Sequence, residues 1–268
     1  MAELKGPILF TGSIGEIRAY YNKTLKRFIL STKGGSNRDQ IKNHPAFARQ
    51  RENMSEFKEC SFWSSQLRRA LFCLSHLLSG YYFSEFMSLA KSIQKHDDVN
   101  LRGFRSIESS KDAMLLKGLS LNRLHPFEQV FTHQQVVTFS EDKKTVTIQL
   151  LGFKSYARIN WPVRFDSFRI ALLIAQLPDY HWNEAEKMFM PLYPNMERLS
   201  VLTFSDWYPR STDPQDIVLS ASFAQPALQQ PGTTVVVALG VEIAMAFGNP
   251  QLPSPSGFGS IKIVECFV

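Results

Sequence analysis

The sequence predicts an α+β fold in which a basic β-hairpin and helices, residues 1–125, precede an antiparallel β-sandwich, residues 126–268. Two observations lead to this prediction. Apolar residues recur at helical spacing from Pro45 to about residue 96, whereas after residue 130 short β-rich runs alternate with polar or Pro/Gly turns. Strands that follow one another with short turns favour an antiparallel sandwich or barrel.

The first element is a hairpin over residues 14–32. Ile17, Ala19 and Tyr21 alternate with polar neighbours, a turn falls near Asn22, and the same period resumes at Phe28. Gly34 and Gly35 end the second strand. Ser36 or Asn37 then caps a short helix that reaches Lys42, because such side chains accept hydrogen bonds from the free amides of a first turn.

A long helix is predicted to begin at Pro45, which suits a first helical position, and to end near Gly80. Its core face carries Phe47, Met54, Phe57 and a later series of leucines. Arg49 is expected to pair with Glu52 on the polar face. Further helices are predicted from residue 82 to the charged run at 95–98 and over residues 107–117.

The second half has the pattern of successive strands. A hairpin is predicted within residues 134–153, around the turn at 141–143. A helical insertion at 183–190 is an alternative that would leave the fold class unchanged. The other predicted strands are 157–161, 167–176, 199–205, 216–223, 233–247 and 259–267.

Charge is divided unevenly between the two halves. Residues 1–123 hold 20 Lys and Arg against 11 Asp and Glu, a net +9, while residues 124–268 hold 10 against 13, a net −3. In the window 17–51 nine cations face Asp39 alone. Such a patch attracts phosphates or an acidic protein surface, and the split permits head-to-tail association.

The hairpin and the helix after it form the candidate binding segment, because cations alternate there with aromatic rings. A ribbon of this kind can contact phosphates and stack on bases. The same residues also suit packing and edge protection in a hairpin that needs a partner surface. The candidate residues for nucleic-acid or partner binding are Arg18, Tyr20, Lys23, Lys26, Arg27, Lys33, Arg38 and Lys42.

Motifs for catalysis and cofactor binding are missing from the sequence. Neither a GxxxxGK[ST] loop nor a GxSxG elbow occurs, and the three cysteines lack CxxC spacing and are expected to be buried thiols. Cys73 and His76 share a helical face, but packing is the preferred interpretation. We therefore expect a protein that is not an enzyme and has neither a metal site nor a cofactor.

Two clusters of potential metal ligands are present in the sequence. His125, Glu128 and His133 form one, and the run His96-Asp97-Asp98 forms the other. Neither has the spacing that brings ligands together on one helix or in paired CxxC loops. Both are interpreted as ordinary polar surface.

The run GSIGEIRAYYNKTLKRFILSTKGG, followed by NHPAFARQRENMSEF, LRRAL and LLKGL, resembles the N-terminal block of an uncharacterised family from Bacteroidota genomes. In that family a basic β-hairpin precedes an N-x-P-A-F-x-R-x-R-E-N helix start. The late strand VVVALGVEIAMAF also resembles a family feature. The resemblance implies no catalytic residues.

The function expected from the sequence is therefore that of a non-enzymatic structural or protein-interaction protein. It would associate with a protein partner or with itself through the hairpin or the sheet edges. Nucleic-acid binding by residues 17–42 is the alternative. No apolar run reaches the length of a membrane span, and the N-terminus lacks a cleavage site, so we expect a cytoplasmic protein without membrane contact.

Overall fold

The chain forms two compact units, residues 1–53 and 54–268. The sequence pattern instead groups the helices up to residue 125 with the hairpin. A computed structural model describes residues 2–3, 6, 9–32, 35–79, 82–160, 165–211, 213, 215–226, 230–244 and 259–268. The predicted glycine end of the first hairpin at Gly34, and the predicted helix end at Gly80, fall outside these residues.

The first unit contains the predicted hairpin, which is confirmed and extended into a four-stranded antiparallel sheet. The order is β1-β4-β3-β2. The turn forms at Asn22 because its side-chain oxygen accepts hydrogen bonds from the amides of Thr24 and Leu25. The strands are β1 (Ala2–Glu3), β2 (Gly12–Ile14), β3 (Ile17–Asn22) and β4 (Arg27–Thr32).

The short helix α1 (Arg38–Asn43) begins as predicted at a polar cap. The Asn37 side chain accepts from the Gln40 amide, and the Gln40 side chain accepts from the Asn37 amide, which forms a capping box. Pro45 starts a single 3-10 turn, and the α-helix proper, α2, covers Ala48–Ala70. A further 3-10 segment follows at Phe72–Leu77.

The core face of α2 differs from the prediction at its start. Phe57 is 67% exposed, Met54 is also exposed, and Phe47 is only half-buried, whereas Glu56, Glu59, Cys60 and Trp63 are buried. The charged residues are buried because they find partners far along the chain. The large stability cost that sequence analysis would attach to a buried Phe47 therefore does not apply.

Arg49 pairs with Glu52 as predicted, with 2.8 Å between Arg49 Nη1 and Glu52 Oε2. The pair is on the surface, where ion pairs three residues apart contribute little. We expect Arg49→Ala to lower the free energy of unfolding by less than about 0.5 kcal/mol. Urea denaturation would check this, and a loss of more than about 1 kcal/mol would show that Arg49 has another structural role.

The helix predicted from residue 82 to the charged run at 95–98 is confirmed as α3 (Tyr82–His96), but the one predicted at 107–117 is wrong. Only one 3-10 turn forms there, at Ala113–Leu115. The backbone of this segment and of the residues after it bonds to strands instead. Ile107 pairs with Tyr180, and the Gly118 amide donates to the Ile263 carbonyl.

The predicted antiparallel sandwich is present in two sheets. The larger has the order β10-β7-β13-β14 with β11 also paired to β7, and the smaller has the order β12-β6-β5. Strand predictions at 134–153, 167–176, 199–205, 216–223 and 259–267 are confirmed, as is 233–247 up to residue 244. The strands are β5 (Val136–Phe139), β6 (Thr145–Phe153), β7 (Ser167–Pro178), β8 (Tyr180–Asn183), β9 (Met188–Pro191), β10 (Val201–Phe204), β11 (Tyr208–Pro209), β12 (Gln215–Ser222), β13 (Thr233–Ala244) and β14 (Gly259–Phe267).

Two local predictions in this half are wrong. Residues 157–160 contribute to a short helix, α5 (Ser155–Arg158), and an isolated bridge at Ile159 instead of a strand. The alternative of a helix at 183–190 is replaced by the β8–β9 hairpin, where the Asn183 side chain accepts from the amides of Ala185 and Glu186. Another short helix, α4, covers Phe127–Val130.

The second unit has three layers, with the larger sheet in the middle. Alternate residues of β7 and β13, such as Ile174 and Val237, pack against the smaller sheet. Their neighbours, such as Leu173 and Val236, pack in a second apolar cluster with the helical segment that contains Trp63. Both faces of β13 are therefore buried, which explains its continuous apolar sequence.

Candidate functional site

The candidate binding residues of the first unit fall into three places. Arg18 and Tyr20 lie on β3 and Arg27 on β4; Lys23 and Lys26 lie in the turn between these strands; Arg38 and Lys42 lie on α1. Lys33 lies outside the described residues. The strand register decides which of these side chains share a surface, because residues directly opposite in an antiparallel pair project to the same face.

One face of the sheet is polar. Arg18 is opposite Ser31, Tyr20 is opposite Ile29, and Asn22 is opposite Arg27. The Arg18 guanidinium carbon lies 5.8 Å from the centre of the Tyr20 ring, which is cation–π distance. Arg27 forms a 3.5 Å ion pair with Glu3 of β1. The arginines of this face can attract acidic groups. The Tyr20 ring, however, is already in contact with the Arg18 guanidinium.

The other face is apolar and is exposed at its two ends, while Ala19 between them is buried. Ile14 of β2 pairs with Ile17, and Tyr21 pairs with Phe28. Ile14 is 65% exposed, Tyr21 46% and Ile17 44%, while the Tyr21 and Phe28 rings are 5.1 Å apart in an edge contact. We call Ile14, Ile17, Tyr21 and Phe28 the apolar face. The sequence pattern groups the cations and aromatic residues as one surface, whereas the register leaves Tyr20 with Arg18 and Arg27 and places Tyr21 and Phe28 on the other face.

One cation of the basic window has a structural role that sequence analysis missed. Arg51 donates from Nη1 to the carbonyl oxygens of Ile41, at 2.9 Å, and His44, at 3.0 Å. It thereby satisfies carbonyl groups at the end of α1 that have no helical partner. Arg51 thus contributes to the joint between α1 and α2.

The second unit contains a buried charge cluster around Glu56. Its carboxylate accepts from Arg105 Nε and Nη2, each at 2.7 Å, from the Gly103 amide at 3.0 Å and from Lys91 at 2.6 Å. Burial opposes ionisation of Glu56, but the hydrogen bonds from Arg105, Gly103 and Lys91 outweigh it and lower its pKa to about 2. Glu56 is therefore ionised, and its carboxylate links Lys91, Gly103 and Arg105.

Glu59, one turn further along α2, behaves in the opposite way. Burial raises the pKa of its carboxyl group to about 9, despite the hydrogen bond from Gln94. Its Oε1 atom has no hydrogen-bond partner within the described ranges. Burial also raises the pKa of the neighbouring Cys60 thiol to about 12. Both groups are neutral at pH 7, and neither side chain reaches solvent.

A third cluster joins the helical layer to the larger sheet. Glu242 of β13 is buried between His76, whose Nε2 lies 2.5 Å from Oε1, and Arg169, whose Nε lies 2.6 Å from Oε2. The Arg169 guanidinium also lies over the rings of Phe204, at 3.8 Å, and Trp207, at 4.7 Å. Burial opposes ionisation of Glu242, but the two hydrogen bonds prevail and lower its pKa.

Of the three cysteines, Cys60 is buried as predicted, Cys266 is half-buried and Cys73 is exposed, so the expectation of three buried thiols is wrong for Cys73. In the described structure no hydrogen bond joins Cys73 to His76, whose Nε2 is already bound to Glu242. A thiol without a contacting base lacks the activation that cysteine catalysis requires.

Several of the residues considered as metal ligands have other partners, whereas His133 Nδ1 is buried without a hydrogen-bond partner in the described part of the chain. Glu128 pairs with Lys262 at 2.7 Å, His96 pairs with Asp112 at 2.9 Å, and Asp97 accepts from the amides of Val99, Asn100 and Ser106. Over the residues described, no group of three or more His, Cys, Asp and Glu side chains is arranged to hold a metal ion.

Comparison with protein families, curated proteins and solved structures found no match to this chain. The family resemblance of the N-terminal block therefore stays a prediction. None of the helices in the described ranges has both the length and the apolar character needed to cross a membrane.

Proposed function

We propose that this is a non-enzymatic interaction protein that self-associates through the apolar face of its N-terminal sheet. The exposure of Ile14, Ile17 and Tyr21 on one side of the sheet carries the proposal. Contiguous apolar side chains at a surface favour contact with another protein, since each buried methylene group contributes about 0.8 kcal/mol.

The first unit also has little apolar interior of its own. Among its described residues Ala19 and Ile29 are the buried apolar side chains. A small sheet generally needs an apolar face packed against something to be stable. A second copy of the chain can supply that surface, because two apolar faces can pack in the manner of a sandwich.

The charge distribution is compatible with a second copy as the occupant. The first unit is strongly basic, so contact between two copies would be unfavourable if like charges faced each other. The register places Arg18 and Arg27 on the opposite face from Ile14, Ile17 and Tyr21. Two apolar faces can therefore meet without bringing these arginines together.

The test replaces Ile14 and Ile17 by threonine, which keeps β-branching and removes apolar surface. Two residues in each of two copies should weaken dimerisation by about 3 kcal/mol, or roughly one hundred-fold in the dissociation constant. Sedimentation velocity measures that constant. The matched control is the double variant Arg18→Thr with Arg27→Thr, which alters the opposite face of the same sheet and should leave it nearly unchanged.

The reverse outcome, in which the arginine variant dissociates and the isoleucine variant does not, would contradict the proposed surface. Thermal unfolding of both variants shows whether the sheet itself is intact. If the double isoleucine variant loses both association and folding, the single variant Ile14→Thr separates the two effects, because Ile14 is the more exposed of the two residues.

Nucleic-acid binding is the second candidate, and the shared face of Arg18, Tyr20 and Arg27 favours it. The arginine double variant tests it as well. Binding of a short single-stranded oligonucleotide should weaken with rising salt and be lost in that variant. No mobility shift for the unaltered protein at low salt would eliminate this candidate.

A further inference from the structure

The sandwich contains a cavity of about 560 Å³ at the end where β10 begins and β12 ends. Both sheets contribute to its wall: Val201 comes from β10 and Thr233 from β13 of the larger sheet, while Phe223 follows β12 of the smaller one. This volume is within the range of small-molecule sites, which are usually apolar with a few polar groups.

Gln176 is the feature of this cavity that calls for a ligand. It shares the strand face of Ile170, Leu172 and Ile174, which point into the apolar interior between the sheets. Gln176 is 7% exposed and lines the cavity, and its side-chain amide has no hydrogen-bond partner within the described structure. Gln176 is not among the fully buried polar atoms that lack a partner, so its amide opens onto the cavity, where a ligand can bond to it in place of water.

A second polar group in the cavity wall can also bond to a ligand. Thr233 is buried beside Gln176, and its hydroxyl donates to the Met196 sulfur at 3.7 Å, which is a weak acceptor. The deep part of the cavity therefore offers an amide and a hydroxyl that can both exchange hydrogen bonds with a ligand.

The mouth of the cavity is cationic. Arg198 ends the 3-10 turn Met196–Arg198, is exposed, and has no ion-pair partner in the part of the chain that the structure describes. The lining residues that the structure shows include no Asp or Glu. A guanidinium at a cavity whose described lining has no acidic residue favours a carboxylate over an amine.

We propose that this cavity binds an amphipathic monocarboxylate that carries a second, uncharged polar group. The carboxylate pairs with Arg198 at the mouth, and the apolar body packs against Val201 and Phe223. The second polar group bonds to the Gln176 amide. This site is separate from the self-association surface, so either proposal can fail without the other.

Isothermal titration calorimetry with three matched probes tests the site: decanoate, decanoate bearing a terminal hydroxyl, and decylamine. The hydroxylated acid should bind most tightly, decanoate about tenfold more weakly for the loss of one hydrogen bond to a buried amide, and decylamine weakest. Equal affinities for the acids and the amine, or no binding of any probe at millimolar concentration, would overturn the proposal.

Two variants assign the contacts. Gln176→Leu should reduce binding of the hydroxylated acid about tenfold, to the level of decanoate, while its unliganded melting temperature stays close to that of the unaltered protein. Arg198→Gln should weaken both acids about tenfold and leave decylamine unaffected. Lys95→Gln, at the exposed end of α3, is the control cation. Acid binding that survives both cavity variants would place the ligand elsewhere.

Discussion

We expect the unaltered protein to lose stability steeply between pH 5 and pH 8, and we expect replacement of Glu59 by glutamine to remove that loss. Burial raises the pKa of Glu59 from 4.5 to about 9. Above pH 4.5 the unfolded chain releases this proton while the folded protein retains it. Stability therefore falls as pH rises through the interval from 4.5 to about 9, by about 1.4 kcal/mol per pH unit, or roughly 4 kcal/mol from pH 5 to pH 8.

Urea denaturation at pH 5, 6, 7 and 8 would measure this effect as the difference between the two proteins. The glutamine side chain of the Glu59→Gln variant stays uncharged at every pH. The free energy of unfolding of the variant should therefore rise relative to that of the unaltered protein as pH rises. Glu186→Gln changes an exposed carboxylate in a turn and is the control. Parallel stability profiles for the Glu59 variant and the unaltered protein would show that Glu59 is ionised in the folded state.

Replacing Glu56 by alanine should lower the free energy of unfolding by about 3–5 kcal/mol, because two cations would lose the buried carboxylate that they share in the unaltered protein. Arg105 would lose a two-pronged contact with 2.7 Å distances, and Lys91 would lose a 2.6 Å contact. The pH dependence has the opposite sign to that of Glu59. With its pKa lowered to about 2, Glu56 stabilises the fold above pH 4.5, and this is lost as pH falls from 4.5 to about 2.

Chemical denaturation at pH 7 would measure the Glu56 effect. Glu52→Ala, on the same helix and in a surface ion pair, should cost less than about 1 kcal/mol. The double variant Glu56→Met with Arg105→Met should recover much of the loss, since apolar residues of similar size often replace a buried pair without cost. A small effect of Glu56→Ala would show that the cluster is open to water.

The fold was predictable wherever the signal is local. The Asn37 cap, the hairpin turn at Asn22 and the apolar strand at 233–244 are specified by residues close together in sequence. The structure of segment 107–117 was not predictable, because its backbone bonds to residues that are distant in sequence. Ile107 pairs with Tyr180, and the amide of Gly118, just after the segment, donates to the Ile263 carbonyl. A helical pattern in sequence cannot reveal that distant strands offer competing hydrogen bonds.

The candidate sites show the same division. Glu56 and Arg105 are 49 residues apart, so their pairing, and with it the burial of Glu56 in place of Phe57, has no local signal. The apolar face did have one, since the alternation of Ile17 and Tyr21 with Arg18 and Tyr20 already separates two surfaces. Gln176 was not singled out from the sequence, because a polar residue at the end of an apolar strand does not show which cavity it will line.

The apolar face of the N-terminal sheet is proposed to hold copies of this protein together. The most direct test is the mass of the unaltered protein by light scattering during size-exclusion chromatography, in dilute buffer and in molar salt. We predict an oligomer under both conditions, because salt screens charge contacts but does not weaken apolar ones. A monomer under both conditions, or an oligomer that dissociates in salt, would contradict the claim.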